Sequence, residues 1–107
     1  MSSYIYLAGP MSGLPEMNYP ALHDAAAELR RLGFTVCNPA ENAPPNDAPT
    51  WDDWMTISRA QVRGAALVVL LPGWQRSAGA REERDIADDS GIPVHVLCDV
   101  LSGEVDE

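Results

Sequence analysis

Residues 66–71 read Ala66-Leu67-Val68-Val69-Leu70-Leu71, and every one of them is apolar. A run of this length without alternating polar positions is typical of a strand that is covered on both faces of a sheet. Pro72-Gly73-Trp74 follows and predicts a turn, because proline and glycine interrupt regular structure. The stretch therefore predicts a parallel sheet that lies between layers of helices.

The segments on either side of this strand alternate between strand and helix patterns. Runs of β-branched, aromatic and apolar residues predict strands at 4–8, 34–37, 66–71 and 94–97. Apolar residues at helical spacing and helix-start signals predict helices at about 19–32, about 50–63 and about 80–90. This order predicts one α/β domain over residues 1–107, a Rossmann- or flavodoxin-like parallel sheet of about four strands with helices on both faces. The tail is expected to fray from about residue 100.

The composition excludes several kinds of function. The chain has 107 residues and a formal net charge of −9, and it contains no lysine. Without lysine there is neither Schiff-base chemistry nor a Walker-type phosphate loop. The acidic balance argues against binding to duplex nucleic acid, and no apolar run is long enough to cross a bilayer. The sequence also shows no signal peptide, so we expect a cytoplasmic protein, and nothing in it implies a metal or a cofactor.

A carboxylate stands on the apolar side of the last predicted helix. Rotation by 100° per residue places Glu83 at the centre of the side that carries Ala80, Ile86, Ala87 and Ser90. The adjacent Glu82 falls on the opposite, acidic side. A buried carboxylate is costly unless it has partners or a task, so Glu83 is the first candidate for a functional residue.

Three turns rich in glycine, proline and polar residues follow the first three predicted strands, at 9–13, 38–41 and 72–79. Because ligands of open parallel sheets bind at the carboxyl ends of the strands, we expect a site where these turns meet. The helix that carries Glu83 begins there. In such a site the carboxylate could attack a sugar carbon, act as a general base or fix a ribose hydroxyl.

The start of the same helix has the features of a phosphate site. Ser77, Gly79 and Ala80 leave backbone N–H groups accessible, and Arg76 or Arg81 could add positive charge. From these residues alone, the alternative is that Ser77 is only a helix cap and Gly79 only a turn residue.

Several of these segments together resemble a known family. Tyr6-Leu7-Ala8-Gly9-Pro10, Gly33-Phe34-x-Val36 and Ser77-x-Gly79-x-x-x-Glu83-x-x-x-Ala87 are similar to motifs of the nucleoside 2-deoxyribosyltransferase superfamily, which includes the 2′-deoxynucleoside 5′-phosphate N-hydrolases. Leu71-Pro72-Gly73-Trp74 and the Ser77 motif resemble most a small branch that is frequent in bacteriophage genomes. The resemblance extends from about residue 4 to residue 97.

The resemblance implies a role for each matching residue. Glu83 matches the nucleophile that attacks the anomeric carbon of a deoxyribosyl group, forms a covalent glycosyl-enzyme and releases the base with overall retention. Tyr6 matches the tyrosine that holds this carboxylate, although alternation along the strand leaves open whether Tyr4 or Tyr6 faces the site. Together with the turns, this predicts a nucleoside- or nucleotide-binding site formed by Gly9, Pro10, Met11, Ser58, Trp74, Ser77, Gly79 and Ala80.

One position departs from the family pattern. Ser58 stands where the family usually has an aspartate that protonates or holds the leaving base, and Ala66 stands where an aspartate at the strand start is common. Loss of a general acid typically costs about two to four orders of magnitude in rate. The alternative is therefore a catalytically weak or inactive protein that sequesters or senses a nucleotide, and a further alternative is a module for protein–protein interaction.

Three tryptophans could supply a stacking surface for a nucleobase. Trp74 is the best placed, because it follows the third strand at the predicted rim, whereas Trp51 and Trp54 lie near the start of a helix. The segments 11–17 and 38–50 could close over a ligand. Relatives in the superfamily form dimers or larger assemblies whose subunits complete each other's pockets, so the resemblance also implies a homo-oligomer.

Overall fold

The computed structural model describes residues 4–11 and 13–103. Four strands and four helices follow one another as β1 (Tyr4–Ala8), α1 (Tyr19–Arg31), β2 (Thr35–Cys37), α2 (Trp51–Arg63), β3 (Leu67–Leu70), α3 (Ala78–Asp89), β4 (Val94–Val96) and α4 (Leu97–Leu101). Short 3₁₀ turns lie at Pro15–Asn18, Pro39–Glu41 and Trp74–Arg76. Within the described ranges, no helix is both long enough and apolar enough to cross a membrane.

The four strands form one parallel sheet in the order β2-β1-β3-β4. Strands β1 and β3 occupy the middle of the sheet, where Tyr6 pairs with Val68 and Ala8 with Leu70. All four residues of β3 are buried, which explains why this segment is apolar at every position. The single α/β domain with a four-stranded parallel sheet, predicted from the sequence, is confirmed.

Side chains of β1 alternate between two apolar clusters, one on each face of the sheet. Ile5 and Leu7 pack with residues of α1 and with Val100 of α4. Tyr6 and Ala8 pack on the other face, with residues of α2 and α3. Because successive side chains of a strand point to opposite faces, this alternation places Tyr6 on the same side of the sheet as the helix that carries Glu83.

The helix ends follow the chemistry of the sequence. Thr50 caps α2 in a reciprocal capping box, in which its hydroxyl accepts from the Asp53 N–H and the Asp53 carboxylate accepts from the Thr50 N–H. Gly33, which follows α1, has a φ of 101°, a conformation that favours glycine, and it stops the helix as predicted.

Helix α4 has no counterpart among the predicted elements. The last strand was expected to extend to residue 97, but it ends at Val96, and Leu97 begins the helix. Five residues are too few to show helical periodicity, and Val100 is the one residue of α4 that becomes buried. The tail predicted to fray from about residue 100 begins within this helix, and residues 104–107 lie outside the described part of the chain.

Candidate functional site

The carboxylate of Glu83 and the phenol of Tyr6 form a buried pair between α3 and the sheet. Glu83 is 6% exposed and Tyr6 is fully buried. The Tyr6 hydroxyl donates a hydrogen bond to Oε2 of Glu83 over 2.9 Å. Tyr4 lies on the same face but donates instead to the backbone carbonyl of Gln61, so Tyr6 is the tyrosine that faces the site.

Burial is the largest influence on the pKa values of both Glu83 and Tyr6. Loss of solvent raises the pKa of Glu83 to about 7, while hydrogen bonds from the Tyr6 and Ser58 hydroxyls favour the charged form and oppose the rise. Burial and the adjacent Glu83 charge raise the pKa of Tyr6 well above its usual value. Tyr6 therefore remains a neutral donor, and Glu83 exchanges its proton near neutral pH.

Glu83 opens onto a cavity of about 550 Å³ at the carboxyl edge of the sheet. Polar and small residues at its base come from the start of α3 and from α2, and apolar side chains surround its mouth. The lining residues are Gly9, Pro10, Met11, Leu14, Met17, Tyr19, Pro39, Asn42, Trp51, Trp54, Met55, Ser58, Gly73, Arg76, Ser77, Ala78, Gly79, Ala80 and Glu83. A cavity of this size and composition is typical of a site for a small organic ligand.

The start of α3 presents backbone donors to this cavity. Ser77 caps the helix, since its hydroxyl accepts from the Ala80 N–H over 3.1 Å, and it also lines the cavity. The N–H groups of Ala78 and Gly79 have no acceptor within the described residues. A Cβ added to Gly79 would lie 3.3 Å from the sulfur of Met55, so glycine permits the close packing of α3 on α2.

Arginine and serine complete the polar part of the lining. Arg76 lines the cavity and makes no ion pair with any described residue, whereas Arg81 is exposed and outside the lining. Ser58 is 7% exposed and faces the cavity from α2, one helical turn after Met55. Ser58, at which the sequence departs from the motif that it otherwise resembles, therefore lies inside the site.

The structure brings together most of the predicted site residues. Gly9, Pro10, Met11, Ser58, Ser77, Gly79, Ala80 and Glu83 all line the cavity, and Tyr6 lies directly behind Glu83. Trp74 does not line it. The guanidinium of Arg84 covers the Trp74 ring at 5.3 Å from its centroid, and the ring packs against the apolar cluster between α3 and the sheet. Trp51 and Trp54, the less favoured candidates, are the tryptophans in the cavity.

Sequence reasoning missed two lining residues, Tyr19 and Met55, and it included a third, Asn42, only as part of the segment 38–50. Asn42 is held by a reciprocal pair of amide hydrogen bonds with Gln61 of α2, at 2.8 and 3.1 Å. This contact holds part of the 38–50 loop against the site, and no sequence motif indicates the contact. Met55 could have been found from the sequence, because it precedes Ser58 by one turn of the same helix.

No set of three or more His, Cys, Asp and Glu side chains within residues 4–11 and 13–103 is arranged to hold a metal ion. The fold and the site define a small α/β protein with a buried carboxylate in a ligand-sized cavity. Residues 3–96 match the model of the family described as "Domain of unknown function (DUF4406)", and the chain belongs to that family. A comparison with curated proteins gave no match.

Proposed function

We propose that this protein cleaves or transfers the N-glycosidic bond of a 2′-deoxynucleoside or its 5′-monophosphate, with Glu83 as the nucleophile. The observation that carries the proposal is the Glu83–Tyr6 pair, a buried carboxylate at the base of a ligand-sized cavity with a hydroxyl donor that orients it. An ionisable group in a cleft with a strongly shifted pKa is typical of an active site.

The reaction proceeds in two displacements. The Glu83 carboxylate attacks the anomeric carbon, the C1′–N bond breaks, and its electron pair leaves with the base. Water or a second base then displaces Glu83 from the sugar, so the configuration is retained overall. Tyr6 stays hydrogen-bonded to Oε2 and limits rotation of the carboxylate, which keeps the nucleophile aimed at the sugar.

The other residues that line the cavity suit the two ends of such a substrate, the sugar with its 5′-phosphate and the base. The free N–H groups of Ala78 and Gly79 and the guanidinium of Arg76 suit the sugar and a 5′-phosphate, because the start of a helix favours anions. The indoles of Trp51 and Trp54 suit the flat base.

A second candidate function is the sequestering or sensing of a nucleotide without turnover. The observation in its favour is Ser58, because a serine hydroxyl cannot replace a carboxylic acid as proton donor to the leaving base. Calorimetric titration with deoxynucleosides and their monophosphates tests this function. If the folded protein binds none of them, the cavity serves another class of ligand.

The proposal also includes a cytoplasmic homo-oligomer that acts on small molecules and not on duplex nucleic acid. Leu14, Met17 and Trp51 are 40%, 43% and 48% exposed at the mouth of the cavity, which a second subunit would cover. Light scattering measures the mass in solution, and a monomer at working concentration contradicts this part of the proposal.

The central test is an assay of base release. The purified protein is incubated with a panel of deoxynucleosides and their 5′-monophosphates, and free bases are resolved by chromatography. Glu83→Gln is assayed in parallel, with Glu82→Gln as a control that removes an equal charge from the neighbouring position. Release that depends on Glu83 alone supports the proposal, and release that survives Glu83→Gln in the folded protein contradicts it.

A further inference from the structure

The described lining of the cavity offers a nucleophile but no strong general acid. Among its described lining residues, Glu83 is the one carboxylic acid, and none is a histidine or a cysteine. Tyr19 and Arg76 are the other lining residues with a dissociable proton, and a phenol or a guanidinium is a much weaker acid than the carboxylic acid that the resemblance leads one to expect at position 58. Ser58 occupies the wall beside Glu83 without supplying a proton.

This absence restricts the leaving group. A neutral nucleobase departs as an anion unless it is protonated, and that step is slow without an acid. A base that already carries a positive charge on its ring departs as a neutral molecule, because the electron pair of the C1′–N bond neutralises it. A site with a nucleophile and no acid is therefore suited to cationic bases.

The electrostatics of the site favour the same ligand. Glu83 takes part in none of the ion pairs of the described residues, so no cation in that part of the chain is paired with its charge. A cationic base bound beside Glu83 would supply the missing opposite charge and favour the ionised carboxylate. Trp51 and Trp54 fit a cationic ring as well, since indole faces attract positive charge. Arg76 is the other charged side chain of the described lining and serves the phosphate end in the proposed function.

We infer that the preferred substrate is an N-glycoside whose base is a cationic ring, such as an N7-alkylated purine or a pyridinium. The inference rests on the proposed function and narrows its substrate class. In the first step the Glu83 carboxylate bonds to C1′, the C1′–N bond breaks, and its electron pair makes the base neutral. In the second step water displaces Glu83, and the proton of the water passes to solvent or to the carboxylate.

The test compares two substrates that differ by one methyl group and one charge. The wild-type protein is assayed on 2′-deoxyguanosine and on 7-methyl-2′-deoxyguanosine, and the rate with Glu83→Gln is subtracted as background. We expect kcat/KM to be at least about 100-fold higher for the methylated compound, since a general acid would otherwise supply about that factor to the neutral one. The 2′-deoxy analogue of nicotinamide riboside forms a second arm, and the preferred arm shows which kind of cationic base the site takes.

A variant tests the role assigned to position 58. Ser58→Asp places a carboxylic acid in the wall, and it should raise the ratio of the guanine rate to the 7-methylguanine rate by about 100-fold or more, whatever its effect on Glu83, which both reactions share. Ser58→Asn, of similar size but not acidic, should speed neither. The comparison of the two substrates on the wild-type protein does not depend on Ser58→Asp, so it tests the inference even if that variant does not fold.

Each outcome has a separate meaning. Equal Glu83-dependent release from the neutral and the methylated compound overturns this inference and leaves the proposed function intact. An equal rise on both substrates in Ser58→Asp also overturns it. If no compound in any arm gives Glu83-dependent release, the proposed function itself fails, and the inference fails with it.

Discussion

Helix α3 carries two glutamates at successive positions, Glu82 and Glu83, whose surroundings are opposite in character. The side chain of Glu82 is 35% exposed and forms an ion pair with Arg59 of α2, which also contacts Asp52. Glu83 is 6% exposed, forms no ion pair within the described residues and is held by the Tyr6 hydroxyl. Glu82 is arranged as structural carboxylates usually are, with a cationic partner and exposed to solvent, whereas Glu83 has no cationic partner among the described residues and little contact with solvent.

The difference in surroundings shows which of the two acids destabilises the folded state. A buried carboxylate that is held by hydroxyl groups keeps most of its desolvation penalty, because hydroxyl groups orient the charge without neutralising it. A raised pKa of about 7 is the expression of that penalty. A costly group beside a cavity points to chemistry rather than to stability.

The largest effect should separate the two acids by activity. Glu83→Gln keeps the size of the side chain and an acceptor for Tyr6 but removes the nucleophile, so base release should fall at least about 1,000-fold. Glu82→Gln removes an equal charge one residue away and should leave release within about twofold. Steady-state rates of the two variants, with circular dichroism to confirm folding, make the comparison. Equal losses in both variants would mean that charge near α3, and not the Glu83 nucleophile, matters.

The second prediction concerns stability and does not depend on the proposed function. The pKa of Glu83 is about 7 in the folded protein and near its ordinary value of 4.5 when unfolded. Between these values the folded state holds a proton that the unfolded state has lost, so the contribution of Glu83 to stability is greatest below pH 4.5 and is lost as the pH rises through about 7. Glu83→Gln lacks this titration. The free energy of unfolding of Glu83→Gln, relative to that of the wild type, should therefore be about 3 kcal/mol more favourable to the folded state at pH 7 than at pH 4.5.

Chemical denaturation at several pH values measures this gain. The other acids titrate in both proteins and cancel in the difference, and Glu82→Gln serves as the matched control, with no comparable trend. A difference between Glu83→Gln and wild type that is independent of pH would show that Glu83 is ionised and satisfied in the folded protein.

The third prediction concerns the partner of Glu83. Tyr6→Phe removes the donor that favours the charged carboxylate, so the pKa of Glu83 should rise further, by about one unit for a hydrogen bond worth about 1.5 kcal/mol. Base release at pH 7 should fall about fivefold and recover at higher pH, because the nucleophile is the ionised form and its fraction at pH 7 falls from about one half to about one tenth. The pH profile of kcat/KM measures the shift. Tyr4→Phe, on the same face but bonded to Gln61, should leave the profile in place.

Much of this contrast could be predicted from the sequence, because it depends on local periodicity. The apolar run at 66–71 predicted the buried strand, and rotation along α3 separated Glu83 from Glu82. Parallel strands bring their carboxyl ends to one edge, so the turns after β1, β2 and β3 could be assigned to one site. Alternation along β1 narrowed the choice to one face, but it could not distinguish Tyr4 from Tyr6, which share that face.

What escaped prediction depends on contacts between distant segments. Trp74 follows β3 at the correct edge, but its ring turns to the core and is covered by Arg84, a contact across ten positions that no spacing reveals. Asn42 enters the site through its amide pair with Gln61. Helix α4 buries only Val100, and a segment of five residues is too short to show helical periodicity in the sequence.

The smallest predicted effect tests the corrected assignment of the tryptophans. Trp51 is 48% exposed at the mouth of the cavity, so Trp51→Ala should leave the fold intact and raise KM about fivefold to tenfold, the lower range for loss of a stacked base, with little change in kcat. Trp74→Ala should instead lower the free energy of unfolding by about 2 to 3 kcal/mol, because its ring packs against the core, and leave KM unchanged at temperatures where the protein stays folded. Kinetics and denaturation on both variants separate the two roles. A rise in KM confined to Trp74→Ala would restore Trp74 as the stacking residue and would require its ring to leave Arg84 when the ligand binds.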